Sequence, residues 1–166
     1  MKARLVDDKE KGMVEAILKM EGLFPQKIGY GEWDVWDNLQ NLNNINIVIE
    51  EDGRIVGYML AIPQAEAVEY LKKEDPLITV KDGMYHADQG VVVEDKRNGV
   101  IFRLLIREIM LEVRKRGGNS LSSYMLAGGL STAVEKFFEG KVIGKRTARL
   151  PSYGDHDLTY IEVEIF

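Results

Sequence analysis

The stretch INIVIEEDGRIVGYMLAIP, residues 45–63, constrains the fold more than any other part of the chain. Ile45, Ile47 and Ile49 alternate at the period of a strand, and a second strand-like run follows from Arg54 to Ile62. Between them, Asp52-Gly53 accepts the two positive φ angles of a tight turn, so the segment predicts a two-residue β-hairpin. Pro63 has no N–H for the ladder and ends the second strand. A hairpin makes neighbouring strands antiparallel, so a purely parallel sheet is not expected.

The other elements arrange themselves around this hairpin. Met13, Ala16, Ile17 and Met20 recur at helical spacing and predict a helix from Asp8 to about Gly22. GLFPQKIGYGEWD reads as a loop. A second short helix follows with Trp33, Trp36, Leu39 and Leu42 along one side, and core packing is the expected use of both tryptophans. QAEAVEYLKKEDP predicts a short surface helix stopped before Pro76, and GMYHADQGVVV predicts a strand. Residues 99–116 form the longest expected helix, with side chains at 100, 101, 104, 105, 109 and 113 inward. Arg114, Lys115 and Arg116 complement its negative end, and Gly117-Gly118 stop it. NSLSSYML is a further strand, Ser131 to Phe138 a short helix, and KVIGKRTARL and DLTYIEVEIF a last pair of strands. In the final strand Glu162 and Glu164 alternate with Ile161, Val163 and Ile165, which predicts one solvated face. The order implies an α/β (α+β) class: a mixed, mostly antiparallel central sheet with helices on both faces. A chain of 166 residues suits one domain spanning 1–166.

Composition narrows the function. With 45% hydrophobic and 30% charged residues, the chain can bury a sizeable core as a soluble protein. There is no cysteine, so disulfides and thiolate metal sites are excluded; with only two histidines, zinc is not expected either. A net charge of -5 argues against general nucleic-acid binding. No run approaches the roughly 20 apolar residues of a membrane span. The N-terminal MKARLVDDKEKG lacks the apolar stretch of a signal peptide, so the expected location is cytoplasmic.

One segment carries possible chemistry. VVVEDKRNGVIFRLL, residues 91–105, runs from a β-branched triplet through a charged turn into the long helix. A helix N-terminus offers outward-facing amides and the positive end of a dipole. Gly99 lets backbone approach an anion closely, and Lys96 and Arg97 add positive charge. The chain contains no GxxxxGK[ST], and the turn has one glycine where a dinucleotide fingerprint has three. Taken alone, the segment is weak evidence for an anion site and reads first as an ordinary strand-to-helix connection.

Together, the turn and the order of elements resemble the GNAT superfamily of acyl-CoA-dependent N-acetyltransferases, over nearly the whole chain. YHADQGVVVEDKRNGVI is similar to the family pattern of a strand, a [Q/R]-x-x-G-x-[G/A] turn and a long helix. Tyr85, Asp88 and Val91 fall on the strand positions. Lys96 stands where glutamine or arginine is usual, Gly99 matches, and Ile101 replaces the second small residue. GRIVGYMLAIP resembles the family's third strand, and AVEKFFEGKVIGKR its last short helix and following strand.

The resemblance implies acetyl-CoA (coenzyme A) as cofactor. Backbone amides across Arg97, Asn98, Gly99, Val100 and Ile101 would hold its pyrophosphate beside Lys96. The edge formed by Val91, Val92 and Val93 would pair with the pantetheine arm as an added strand. The size of Ile101 implies weakened but not abolished cofactor binding, since a backbone N–H does not depend on its side chain and Ile101 can turn into the core. Asp88 is the candidate for binding the acceptor amine or acting as a base through water. His86, two residues away on the same side of an ideal strand, ranks after it. Many family members carry a tyrosine on the last short helix to protonate the departing thiolate; Phe137 stands there and has no proton to donate. Tyr124 is the expected substitute acid. Otherwise the thiolate leaves without a side-chain acid, or the chain does not catalyse.

The implied activity is acetyl transfer from acetyl-CoA to a primary amine of a small molecule or peptide, by direct attack in a ternary complex. The alternative is a catalytically inactive GNAT-like module that binds acyl-CoA as a sensor or docking domain. The implied partners are the amine acceptor and a second copy in a homodimer, with no nucleic acid and no membrane.

Overall fold

The computed structural model describes residues 1–6, 11–23, 29–97, 99–138 and 140–165. The expected helix start at Asp8 and the turn residue Asn98 lie outside them. The chain divides into two compact units, Met1–Ala61 with Gln89–Glu112, and Ile62–Asp88 with Val113–Phe166.

The first unit contains β1 (Lys2–Leu5), α1 (Lys11–Glu21), α2 (Glu32–Gln40), β2 (Ile45–Glu51), almost all of β3 (Arg54–Pro63), the end of β4 (Met84–Val92) and most of α4 (Val100–Lys115). Its strands run in the order β1-β2-β3-β4. The expected hairpin forms: Asp52 and Gly53 take φ of 51° and 75°, and Glu51 pairs with Arg54. β2 is buried from Ile45 to Ile49 without alternation, as a strand covered on both faces should be. β1 has no strong sequence signal. It forms because the edge of β2 templates it, with Lys2 opposite Glu50 and Leu5 opposite Ile47.

Two expectations about burial need correction. In α2 the buried residues are Val35 and Leu39, whereas Trp33 and Leu42 are each 81% exposed. The helix carries two competing apolar stripes, 33/36 and 35/39, and packing between α1 and α2 selects the second. In α4 Ile101, Leu105, Ile109 and Val113 are buried as expected, but Val100 at the first position is exposed.

Gly57 explains how α4 packs within this unit. A Cβ there would sit 2.6 Å from Cγ2 of Ile101 and 3.1 Å from Cδ1 of Leu105. The bare backbone of β3 is the hole that the α4 side chains fill. Gly57→Ala is therefore expected to destabilise the protein by about 1–3 kcal/mol through overpacking. Adding Ile101→Ala should make the double variant less unstable than the sum of the two single losses. Urea midpoints measure this; strict additivity would refute the contact.

The second unit contains α3 (Gln64–Leu71), the start of β4, β5 (Ser120–Leu126), α5 (Gly129–Phe137), β6 (Val142–Ala148) and β7 (Leu158–Glu164). Its strands run β4-β5-β7-β6. β4 and β5 are parallel, while β5, β7 and β6 pair antiparallel, so the sheet is mixed and mostly antiparallel as the sequence implied. The final strand departs from expectation. Glu162 is 5% exposed because Lys81 and the Tyr160 hydroxyl both bond its carboxylate, and β7 is buried from Leu158 through Val163. Among the described residues, no helix is long and apolar enough to cross a membrane.

Candidate active site

In the first unit, β4 delivers the chain to the charged turn. Val91, Val92 and Val93 are buried. The Val93 N–H donates to the Val56 carbonyl at 3.1 Å, and the Val93 carbonyl accepts the Lys96 N–H at 3.0 Å. Both backbone groups of Val93 are thus engaged within the protein, so Val93 does not offer them to a cofactor arm. The Val92 carbonyl accepts Nε–H of Arg97 at 3.0 Å. Glu94–Lys96 wind as a 3-10 helix, closed by the Arg97 N–H on the Glu94 carbonyl at 3.3 Å, so that amide too is engaged. Lys96 Nζ pairs with Glu51 at 2.6 Å and holds that carboxyl below its usual range.

The turn then opens. Gly99 has a φ of 82°, and nothing lies within 4 Å of where its Cβ would be. Glycine adopts this left-handed conformation without steric penalty. The helical ladder of α4 begins with the Arg103 N–H on the Gly99 carbonyl at 3.1 Å. The Gly99 and Ile101 amides precede that ladder, at the end of the helix where an anion is favoured. Ile101 is 2% exposed and packs on Gly57, so its bulk lies in the core and not over the turn. The weakened binding expected from its size does not follow.

In the second unit, Asp88 is half-buried on β4. Its Oδ1 accepts a short hydrogen bond from the Tyr70 hydroxyl of α3. Tyr153 has its phenol pushed up to about 12, by burial first and then by the negative charges of Asp88 and Glu74. Glu74 in turn accepts the Ser152 N–H at 2.9 Å.

An ideal strand puts Asp88 and His86 on one side; the two differ in burial, His86 being buried and Asp88 half-buried. The register with β5 ends at Ala87, opposite Ser123. His86 is 2% exposed, and its Nδ1 lies 2.9 Å from Ser122 Oγ. Burial holds its imidazole below the ordinary value against the opposing pull of the Asp88 charge.

That burial has a consequence for stability. Folded His86 stays neutral to lower pH than an unfolded histidine, whose ordinary value is 6.5. Below that value the unfolded chain binds the extra proton. Stability from this group is thus full above about pH 6.5 and falls as pH drops, by at most about 1.4 kcal/mol per pH unit. His86→Gln should flatten that part of the curve in urea melts between about pH 7.5 and about pH 5. An unchanged slope would refute the assignment.

Tyr124 belongs to a denser network. Its hydroxyl donates to Asp75 Oδ2, and Nη2 of Arg146 donates to the same oxygen while lying 3.3 Å from the Tyr124 oxygen. The Leu77 N–H donates to Asp75 Oδ1 at 3.1 Å. The Arg146 guanidinium stacks 4.5 Å from the Tyr160 ring centroid. The Tyr160 hydroxyl donates to Glu162 at 2.9 Å and accepts from Gln64 Nε2 at 3.2 Å. Burial raises the Asp75 carboxyl, but the bonds from Tyr124 and Arg146 outweigh it and hold the group below its usual range. Burial and the Asp75 partner push the Tyr124 phenol above its own. The Tyr124 proton is thus committed to Asp75, on a phenol more weakly acidic than a free tyrosine.

Sequence reading did not find Asp75, Arg146, Tyr70 or Tyr153. They come from separate loops, helices and strands, so no local spacing marks them. Phe137 is 43% exposed on α5, with its ring T-shaped against buried Phe138 at 4.9 Å.

No protein-family model matches the sequence, and no curated protein is significantly similar to it. Solved structures do match along its full length. An aminoglycoside 6'-acetyltransferase type Ii superposes with a TM-score of 0.74 at 18% identity, covering 100% of this chain and 98% of that one. An aminoglycoside 6'-N-acetyltransferase complexed with coenzyme A gives 0.68 at 17% identity, covering 100% and 98%. The ribosomal-protein-S18-alanine N-acetyltransferase from Escherichia coli gives 0.64 at 16% identity, covering 99% and 94%. At these identities the likeness is one of fold, and the fold is that of the GNAT acyl-CoA N-acyltransferases.

Proposed function

We propose that this chain, as one domain over 1–166, is a cytoplasmic N-acetyltransferase. It takes the acetyl group of acetyl-CoA and an acceptor that is a primary amine of a small molecule or peptide, which attacks directly in a ternary complex. The observation that carries the reading is the turn at Gly99. Its left-handed φ, the open space beside it, and Ile101 turned into the core leave a helix end suited to a diphosphate. The full-length likeness to a structure holding coenzyme A supports it.

Acetyl-CoA supplies a thioester carbonyl as the electrophile. In this proposal the amides of Gly99 and Ile101 hold the diphosphate, with Lys96 nearby sharing its charge with Glu51. The backbone of Val91 and Val92 receives the amide-bearing arm. Asp88 orients the incoming ammonium and accepts its proton. His86 and Tyr124 enter as parts of the hydrogen-bonded wall rather than as proton carriers, because one is buried beside Ser122 and the other donates to Asp75. With phenylalanine at 137, the thiolate departs without a side-chain acid from α5.

Thermal melting and a thiol-release assay test this. Coenzyme A at about 100 times its Kd should stabilise the protein by about 2.7 kcal/mol, and acetyl-CoA should release thiol with at least one primary amine. No shift in Tm would overturn cofactor binding. A shift with no turnover would leave the acyl-CoA-binding module instead.

A further inference from the structure

We propose that Tyr70 is a positioning residue for the acceptor amine, acting through Asp88. This rests on the acetyltransferase reading and assigns a role within that same site. Tyr70 sits on α3, whose buried residues are Gln64, Ala67, Val68 and Leu71. Tyr70 lies off that stripe and is 41% exposed, so packing does not explain a large aromatic there. Its hydroxyl donates to Asp88 Oδ1.

Asp88 needs such a partner for a reason visible in β4. Ala87 is the last residue in register with β5, so Asp88 lies just past the paired stretch. Beyond that stretch, cross-strand neighbours on β5 no longer set where a side chain points. A carboxylate that must meet an amine within a fraction of an ångström then depends on a hydrogen bond from outside the strand. Tyr70 supplies that bond, and Tyr153 feels the Asp88 and Glu74 charges.

The test is a double-mutant cycle on the full chain with acetyl-CoA and three acceptors: a diamine, an aminoglycoside and a peptide with a free N-terminal amine. Tyr70→Phe keeps the ring and removes the hydroxyl. It should lower kcat about tenfold, with Tm nearly unchanged and KM for acetyl-CoA within about twofold. In an Asp88→Asn background the same change should alter kcat by less than about twofold. Equal losses in both backgrounds would mean that Tyr70 acts by another route and would overturn the proposal. So would a Tyr70→Phe variant as active as the parent. Turnover unaffected by Asp88→Asn would remove Asp88 from the chemistry, and Tyr70 with it, while leaving the acetyltransferase reading intact. A parent protein that turns over none of the three acceptors would count against that reading and this proposal together.

Discussion

Asp88→Asn should lower kcat/KM for the amine by about 100-fold or more, the usual scale for losing a positioned acid–base group. Asparagine keeps the size and one acceptor oxygen, so the Tyr70 bond and local packing survive while the charge and basicity are lost. Coenzyme A affinity should stay within about twofold, because the turn assigned to the diphosphate uses backbone amides that this change leaves intact. The pair of readouts is decisive. Loss of turnover together with cofactor binding would indicate general disruption of β4; no loss of turnover would return Asp88 to the ordinary surface carboxylates.

The second large effect concerns stability. Asp75 is 6% exposed and is held by Tyr124, Arg146 and the Leu77 N–H. Asp75→Asn leaves the guanidinium of Arg146 without its counter-charge in a mostly buried setting, which should destabilise by about 3 kcal/mol. For a chain of this length that corresponds to a fall in Tm of roughly 6–12 °C. Arg146→Met in the same chain should recover part of the loss, since removing both charges costs less than removing one. Because the Asp75 carboxyl lies below its ordinary 3.8, its stabilisation is present above that value and fades only as pH falls further. The defect should therefore be fully visible at neutral pH in urea or thermal melts. A Tm within about 2 °C of the parent would refute the burial argument.

Much of the fold was legible because its signals are local. The Asp52-Gly53 turn, the stop at Pro63 and the α4 stripe at 101, 105, 109 and 113 each follow from residues within one or two turns of chain. The failures have a common cause. Trp33 was assigned to the core on spacing alone, yet the helix had a second stripe and its neighbour chose it. Alternation places Glu162 in solvent, but Lys81 arrives from elsewhere in the chain and pairs with its buried carboxylate.

Of the candidate site, the sequence determined the turn, because a glycine between a strand and a helix fixes backbone geometry by local sterics. It also placed Asp88 on β4, ahead of that turn. Only the tertiary structure decided that Ile101 faces Gly57, that the Val93 amide meets the Val56 carbonyl, and that Tyr124 donates to Asp75. Each of those outcomes depends on a partner distant in the chain. Hydrogen bonds and close packing are settled by which groups meet, and residue order along a chain fixes that only after it folds.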